Sequence, residues 1–392
     1  MSNLTDIQNN RITSIDALRG IVMILMALDH TRDFFSNIKF DPLDLTQTNN
    51  AWFLMRWITH FCAPIFIFLA GIGAYLYGQK KNNKRELFIF LITRGIWLLF
   101  LEFTFVRFGW FFNFDYSLVV AQVIWAIGWS MIALSLLSLL SPIIVGTLGL
   151  LIILAHNTLD FITPEMFGSY DWLWKILHEG GGIQWNDTIF MYVVYPLIPW
   201  IGVIAFGYGF GKIYTLKKEF RVRTLLYLGF GMIAFFIILR YLDIYGEPHI
   251  LKIYDTINNT VLSFIDCTKY PPSLLYILMT LGPGIVVLGL LENARNKLID
   301  IFVIIGKVPL FYYLLHLVVI HIMALIIFGI EGADISYLFT NKAPWGPDIH
   351  YGFGVIGVTI IWLFVIAILF PCCIWFSKVK DKNRHLWWLS YF

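Results

Sequence analysis

Charge is what this sequence of 392 residues has least of: Asp, Glu, Lys and Arg together make up 14% of it, against about 25% in a soluble domain. That shortage excludes an ordinary water-soluble enzyme. The net charge of +3 is small and gives no basis for a nucleic-acid partner. Cysteine is scarce too. Of Cys62, Cys267, Cys372 and Cys373, only Cys267 lies in a long loop, so no disulfide framework is available. The adjacent Cys372 and Cys373 sit near a helix end, where apolar packing and acylation are the two readings. The N-terminus, MSNLTDIQNNRITSIDALRG, lacks the basic-then-apolar pattern and cleavage site of a signal peptide, which makes the first span an uncleaved helix. Also missing are a P-loop, an HExxH zinc motif, a paired-cysteine metal site and a G-x-S-x-G elbow. No metal is expected.

What the chain does have is hydrophobic residues, 59% of the total, with aromatics at 18%. Apolar runs of about 20 residues, long enough to cross a bilayer, recur along its length. Backbone polar groups in hydrocarbon need internal partners, so the spans should be helices. The runs are continuously apolar rather than alternating, which excludes a β-barrel. The expected fold is an all-α polytopic bundle of about ten transmembrane helices, forming a single transmembrane domain over residues 1–392. Spans are expected near 15–35, 51–77, 87–106, 118–139, 142–157, 188–211, 224–241, 273–291, 303–329 and 352–376.

Loops alternate in charge. Residues 78–86 (GQKKNNKRE), 212–223, 292–300 (ENARNKLID) and the tail from Lys378 are basic. The loops 36–50, 107–117, 158–187, 242–272 and 331–351 are longer, aromatic and nearly free of Lys and Arg. The positive-inside rule places the basic set in the cytoplasm, and ten spans then bring both termini inside.

Ionisable residues within spans are costly and default to functional candidates. Here they gather towards the outer side. Asp29, His30, Arg32 and Asp33 end the first span, and Arg56 and His60 begin the second. Glu102 and Arg107 lie towards the outer end of the third, Gln122 opens the fourth, His156 and Asp160 flank the fifth, and Arg240 and Asp243 the seventh. His316 and His321 lie within the ninth. The pattern suggests a polar cavity open to the far side, although helix ends are polar in any membrane protein.

The first helix is the most informative. Arg19 and His30 are eleven residues apart, close to three whole turns, so both lie on one face roughly 16 Å apart along the axis. A molecule with a phosphate at one end and a reactive group at the other would touch both. The same spacing also fits a snorkelling anchor and an interfacial histidine. Asp29 adjoins His30 in sequence, so their side chains diverge by about 100°. A carboxylate from another helix, such as Glu102, is the alternative orienting partner. Arg56 and His60, and likewise Tyr312 and His316, stand four apart and share a face.

The stretch SIDALRGIVMILMALDH (14–30) followed by THFCAPIFIFLAG (59–71) resembles the first block of bacterial relatives of heparan-alpha-glucosaminide N-acetyltransferase. QVIWAIGWSMIAL (122–134), YPLIPWIGVIAFGYGFGK (195–212) and GKVPLFYYLLHLVVIH (306–321) are similar to later blocks, in the expected order. The Arg19–His30 spacing is also similar to the arginine–histidine motif of acyltransferase family three. The resemblance implies a transmembrane acyltransferase in a bacterial inner membrane. Such a protein takes an acyl group, acetyl first of all, from cytoplasmic acetyl-CoA or another acyl-CoA and passes it to an extracytoplasmic sugar or glycan. Arg19 then matches the arginine associated with the donor, and His30 the essential histidine. In the lysosomal enzyme an asparagine stands where His30 is, and the catalytic histidine lies in the following loop. Here that loop, SNIKFDPLDLTQTNN, contains no histidine, and Asp41 falls near its place.

On this reading His30 is the general base, since imidazole titrates near neutrality, with Asp29, His60 and Glu102 around it. An acyl-histidine intermediate is the other route. Arg19, Arg94 and Lys307 would hold the CoA phosphates, and Arg107, His156 and His316 the acceptor. The bilayer is the setting, and a homodimer is compatible with the sequence. The rival reading is a proton-coupled or small-molecule transporter that uses the same His, Glu and Arg residues as a relay.

Overall fold

The computed structural model describes residues 12–344, 352–383, 385, 386, 389 and 391. The N-terminal stretch read as lacking a leader, part of the 331–351 loop and part of the basic tail lie outside the described residues. In chain order the α-helices of five residues or more are α1 (Thr13–Phe35), α2 (Asn50–Thr59), α3 (Cys62–Lys81), α4 (Lys84–Leu101), α5 (Arg107–Phe111), α6 (Val123–Leu137) and α7 (Pro142–Ala155). There follow α8 (Leu197–Phe210), α9 (Lys218–Leu242), α10 (Ile257–Ile265), α11 (Leu274–Leu291), α12 (Lys297–Gly306), α13 (Pro309–Ile330) and α14 (Val355–Lys382). Three short strands, β1 (Leu118–Ala121), β2 (Gly181–Gln184) and β3 (Phe190–Val193), form a small sheet in the order β1-β3-β2.

Eight helical segments among the described residues are long and apolar enough to cross a membrane. Two further helices, α1 and α6, fall outside that set. The first is interrupted by Asp16, Arg19, Asp29, Arg32 and Asp33, and the second has 15 residues. The chain is an all-α polytopic membrane protein, and each stretch read as a span overlaps one of these helical segments, eight of which have the length and hydropathy to cross a membrane.

Several ends differ from the sequence reading. Residues 118–121 are a strand, so α6 starts at Val123 rather than in the region of 118. The segment read from 188 likewise opens with β3, and α8 begins only after Pro196. Continuous hydrophobicity does not separate a short buried strand from the helix that follows it. The stretch read as one span over 303–329 is two helices, because Pro309 has no N–H to continue α12 and instead opens α13 at its first turn. The 51–77 stretch breaks between Thr59 and Cys62, just before Pro64.

The chain divides into two compact units, each assembled from separated stretches. The first comprises Met1–Ser14, Ala63–Phe103 and Val119–Ala294. Within it α8 packs on α6 and α7, α4 on α6, and α9 on α11. Small residues let the backbones approach, as is usual where helices associate in lipid. A Cβ on Gly95 of α4 would lie 2.6 Å from the Gly128 carbonyl oxygen of α6.

The second unit comprises Ile15–Cys62, Thr104–Leu118 and Arg295–Phe392. Here α13 packs against α5, α12 and α14. Helix α1 is pinned to α14 by a hydrogen bond from Trp362 Nε1 to the Ile24 carbonyl (2.9 Å). It meets α12 through two glycines: a Cβ on Gly20 would stand 1.9 Å from the Phe302 oxygen, and one on Gly306 1.8 Å from the Asp16 oxygen. Asp16 in its first turn and Arg32 in its last complement the helix dipole.

Candidate functional site

The last two turns of α1 carry Asp29, His30, Arg32 and Asp33, all within the second unit. Successive helix positions point in different directions, and the structure divides these four accordingly. Asp29 faces α2. Both its oxygens lie 2.8 Å from Arg56 Nη1, Thr59 donates its hydroxyl at 2.9 Å, and Arg32 pairs with it at 2.8 Å. Arg32 also pairs with Asp33 at 2.6 Å. Two arginines and two aspartates thus form one interlocked, largely buried cluster.

His30 faces α13 and the α5 segment. Its ring meets Trp110 edge-on, with centroids 4.8 Å apart, and lies 5.2 Å from the ring of His316. His30 Nδ1 is enclosed and stands 3.6 Å from Asp33 Oδ2, one turn further along the same helix. Asp33, rather than the adjacent Asp29, is therefore the carboxylate beside the imidazole. The sequence reading passed Asp33 over, although its i,i+3 spacing from His30 on one helix face was a signal that could have found it. Trp110 gave no such signal, because it comes from a distant stretch of chain.

His316 is fully buried on α13. Its Nδ1 contacts the carbonyl oxygens of Tyr312 (3.2 Å) and Tyr313. Its ring is parallel to that of Tyr312, as the four-residue spacing implied. His321, five residues on, bonds through Nδ1 to the Gly109 carbonyl (3.1 Å) and stacks on Phe112 at 3.8 Å. His60 is buried at the C-terminal end of α2.

At the opposite end of α1, the Arg19 guanidinium is anchored by Asp16 (3.2 Å) and the Gly306 carbonyl (3.4 Å). Lys307 follows directly in the chain, half-buried, and its own carbonyl accepts from Lys380 Nζ at 3.2 Å. The close glycine contact of α1 with α12 thus brings these two cations to one corner.

The remaining sequence candidates are occupied otherwise. Arg107 spends its guanidinium on its own loop: it donates to the carbonyls of Leu118, Asn113 and Asp115 and to the side chains of Asn113 and Asn341, with Tyr116 lying over it at 4.4 Å. Glu102 belongs to the first unit, where its buried carboxylate accepts the Trp125 N–H at 2.8 Å and so serves the N-terminus of α6. His156, also in the first unit, has a carbonyl oxygen 2.8 Å from each ring nitrogen, those of Ile153 and Pro272. Arg94 of that unit lies 5.7 Å over the Phe90 ring. Asp41 is exposed and accepts the Leu43 N–H of its own turn. Among the described residues no three His, Cys, Asp or Glu side chains converge as metal ligands would.

Fold and site together define a polytopic membrane protein with paired imidazoles on apposed helices. Residues 11–245 match the family described as heparan-alpha-glucosaminide N-acetyltransferase, catalytic. The match covers more than half of the chain, which belongs to this family and is a transmembrane acetyltransferase. It spans Arg19, His30, Asp33, His60, Glu102 and Trp110, and ends before Lys307 and His316. No curated protein matches the chain.

Proposed function

We propose that the protein transfers an acetyl group from acetyl-CoA, supplied from the cytoplasm, to a hydroxyl or amine of a carbohydrate on the far side of a bacterial inner membrane. The observation that carries this reading is His30, with Asp33 3.6 Å from its enclosed Nδ1. A carboxylate on that side favours the tautomer with hydrogen on Nδ1 and leaves the Nε2 lone pair as base.

The acceptor gives its proton to Nε2 as its oxygen or nitrogen bonds the thioester carbon. The C–S bond breaks with its electrons on sulfur, and the imidazolium returns the proton to the CoA thiolate. Arg19 and Lys307, at the other end of α1, bind the CoA phosphates through charge-assisted hydrogen bonds. Asp29, Arg56, Thr59 and Arg32 hold the end of α1 in place. Arg107 keeps the 112–118 loop folded beside α5 and acts without touching either substrate. With the basic loops in the cytoplasm, Arg19 lies at the inner end of α1 and His30 at the outer end.

Full-length protein in liposomes, given acetyl-CoA labelled in the acetyl group and either glucosamine or N-acetylglucosamine as acceptor probe, tests this. His30→Ala should lower transfer by at least about 100-fold, and Asp33→Asn by about 10-fold or more. Transfer at the wild-type rate by His30→Ala would remove the histidine from the mechanism.

A further inference from the structure

Buried polar atoms without partners are rare, and each calls for an explanation. Among the described residues His178, His316 and His321 each have one ring nitrogen engaged and the other buried without a hydrogen bond. His321 is flanked by the rings of Phe112 and Phe34, with no second imidazole beside it. His178 latches Asp160 through Nε2 and packs on Trp174 in the loop region of the first unit. His316 differs from both: beside it lies a second imidazole, that of His30.

The carbonyl oxygens of Tyr312 and Tyr313 can only accept, so the hydrogen of the His316 ring is on Nδ1. A neutral imidazole has one N–H, and Nε2 therefore keeps an unshared pair in the interior. The helix carbonyls of α13 fix this tautomer regardless of what is bound. The two ring centroids are 5.2 Å apart, with the ring planes inclined at 36°, so a small rotation of either side chain is what a direct nitrogen-to-nitrogen hydrogen bond requires.

We infer that His316 is the proton partner of His30, its Nε2 lone pair sharing the proton that His30 removes from the acceptor. The inference rests on the acetyl-transfer reading and extends it to a residue beyond the stretch that the family match covers. The acceptor O–H or N–H bond breaks, and its hydrogen becomes an N–H of His30. The acceptor atom, now bonded to the acyl carbon, no longer competes for that hydrogen, and His316 Nε2 accepts it. When the C–S bond has broken, the same proton passes to the thiolate, and both imidazoles are neutral again. Asp33 on the other side of His30 faces the positive charge while it lasts, and Arg32 balances Asp33 at rest. His316 acts through His30 and is thus a positioning residue.

Two measurements on the full-length protein decide the matter. Nitrogen-15 spectra of histidine-labelled protein in detergent, with His316 assigned by its loss in His316→Gln, should show it protonated on Nδ1 and shifted when His30 is replaced by Ala. A proton on Nε2, or a signal indifferent to His30→Ala, overturns the pairing. In the liposome assay His316→Gln and His316→Asn should lower kcat by about 100-fold while KM for acetyl-CoA and the melting temperature stay near wild type. A kcat near wild type, or a loss that tracks the melting temperature instead, overturns it as well. His321→Gln should keep kcat. If wild-type protein transfers acetyl to neither sugar probe, the proposed function falls, and the spectra still decide whether the two rings share a proton.

Discussion

Asp160 illustrates how single side chains set the response of this protein to acid. Its partial burial works against the charged form, but hydrogen bonds from His178 (2.9 Å) and Asn157 (2.8 Å) more than offset that and hold the carboxyl below its ordinary value. A group whose folded pKa is depressed adds stability above its unfolded pKa, about 3.9. That stability is lost as pH falls through the lower folded value. Fluorescence of Trp174, whose ring lies 5.1 Å from His178, should report loosening of this region below about pH 4. Asp160→Asn should already lack the stabilisation at neutral pH and show a flatter acid limb. Identical acid limbs would mean the latch is energetically silent. Residue roles of this kind were only partly legible in the sequence. His30 stood out because an imidazole inside an apolar run is costly, whereas Asp33 was passed over in favour of Asp29 and Glu102, although its spacing could have found it. The contacts that Arg107, Glu102 and His156 make in the fold were not legible, since their partners are mostly backbone groups brought close only by folding.

Among the elements, the α1–α12 contact is the tightest in the second unit. Gly20 and Gly306 each face a backbone oxygen at a distance that leaves no room for a methyl group. Ala at either position should destabilise the protein by about 1–3 kcal/mol. At Gly73, where no atom lies within 4 Å, Ala should be neutral or slightly stabilising. Thermal unfolding in one detergent compares the three, and equal melting temperatures would argue against close approach. The contact also bears on the proposed donor binding, because it sets Arg19 against the Gly306 carbonyl beside Lys307. Helix existence was easy to read from apolar runs, whereas helix ends were not. The strands at 118–121 and 190–193 and the break at Pro309 are hidden in segments of uniform hydrophobicity. A recurring device organises two of the loops. Arg107 and Arg240, buried at the ends of spans, each reach several main-chain carbonyls, in the second case those of Phe264, His249, Ser263 and Asp266. Neither arginine faces a carboxylate as its main partner, so pairing rules applied to the sequence pass them by.

For the whole molecule, the sorting of loop charge remains the strongest guide to orientation. We propose that both termini face the cytoplasm. After replacement of the four native cysteines, single cysteines at Lys80 and Lys297 should react with a membrane-impermeant thiol reagent only from the cytoplasmic side. Cysteines at Phe114 and Ile253, both exposed, should react only from the other. A reversed pattern would place His30 on the donor side and undo the proposed path of the acetyl group. Family membership rests on residues 11–245, and His316 of the proposed imidazole pair lies beyond them on α13.

The interlocked cluster of Asp29, Arg32, Asp33 and Arg56 sums to zero formal charge. Removing any one member strands its opposite number in a low-dielectric setting, which costs more than the pair itself is worth. Substitution there is least costly in compensating couples, an acid together with a base. Over evolutionary time this corner of the protein is expected to change more readily by double steps than by single ones.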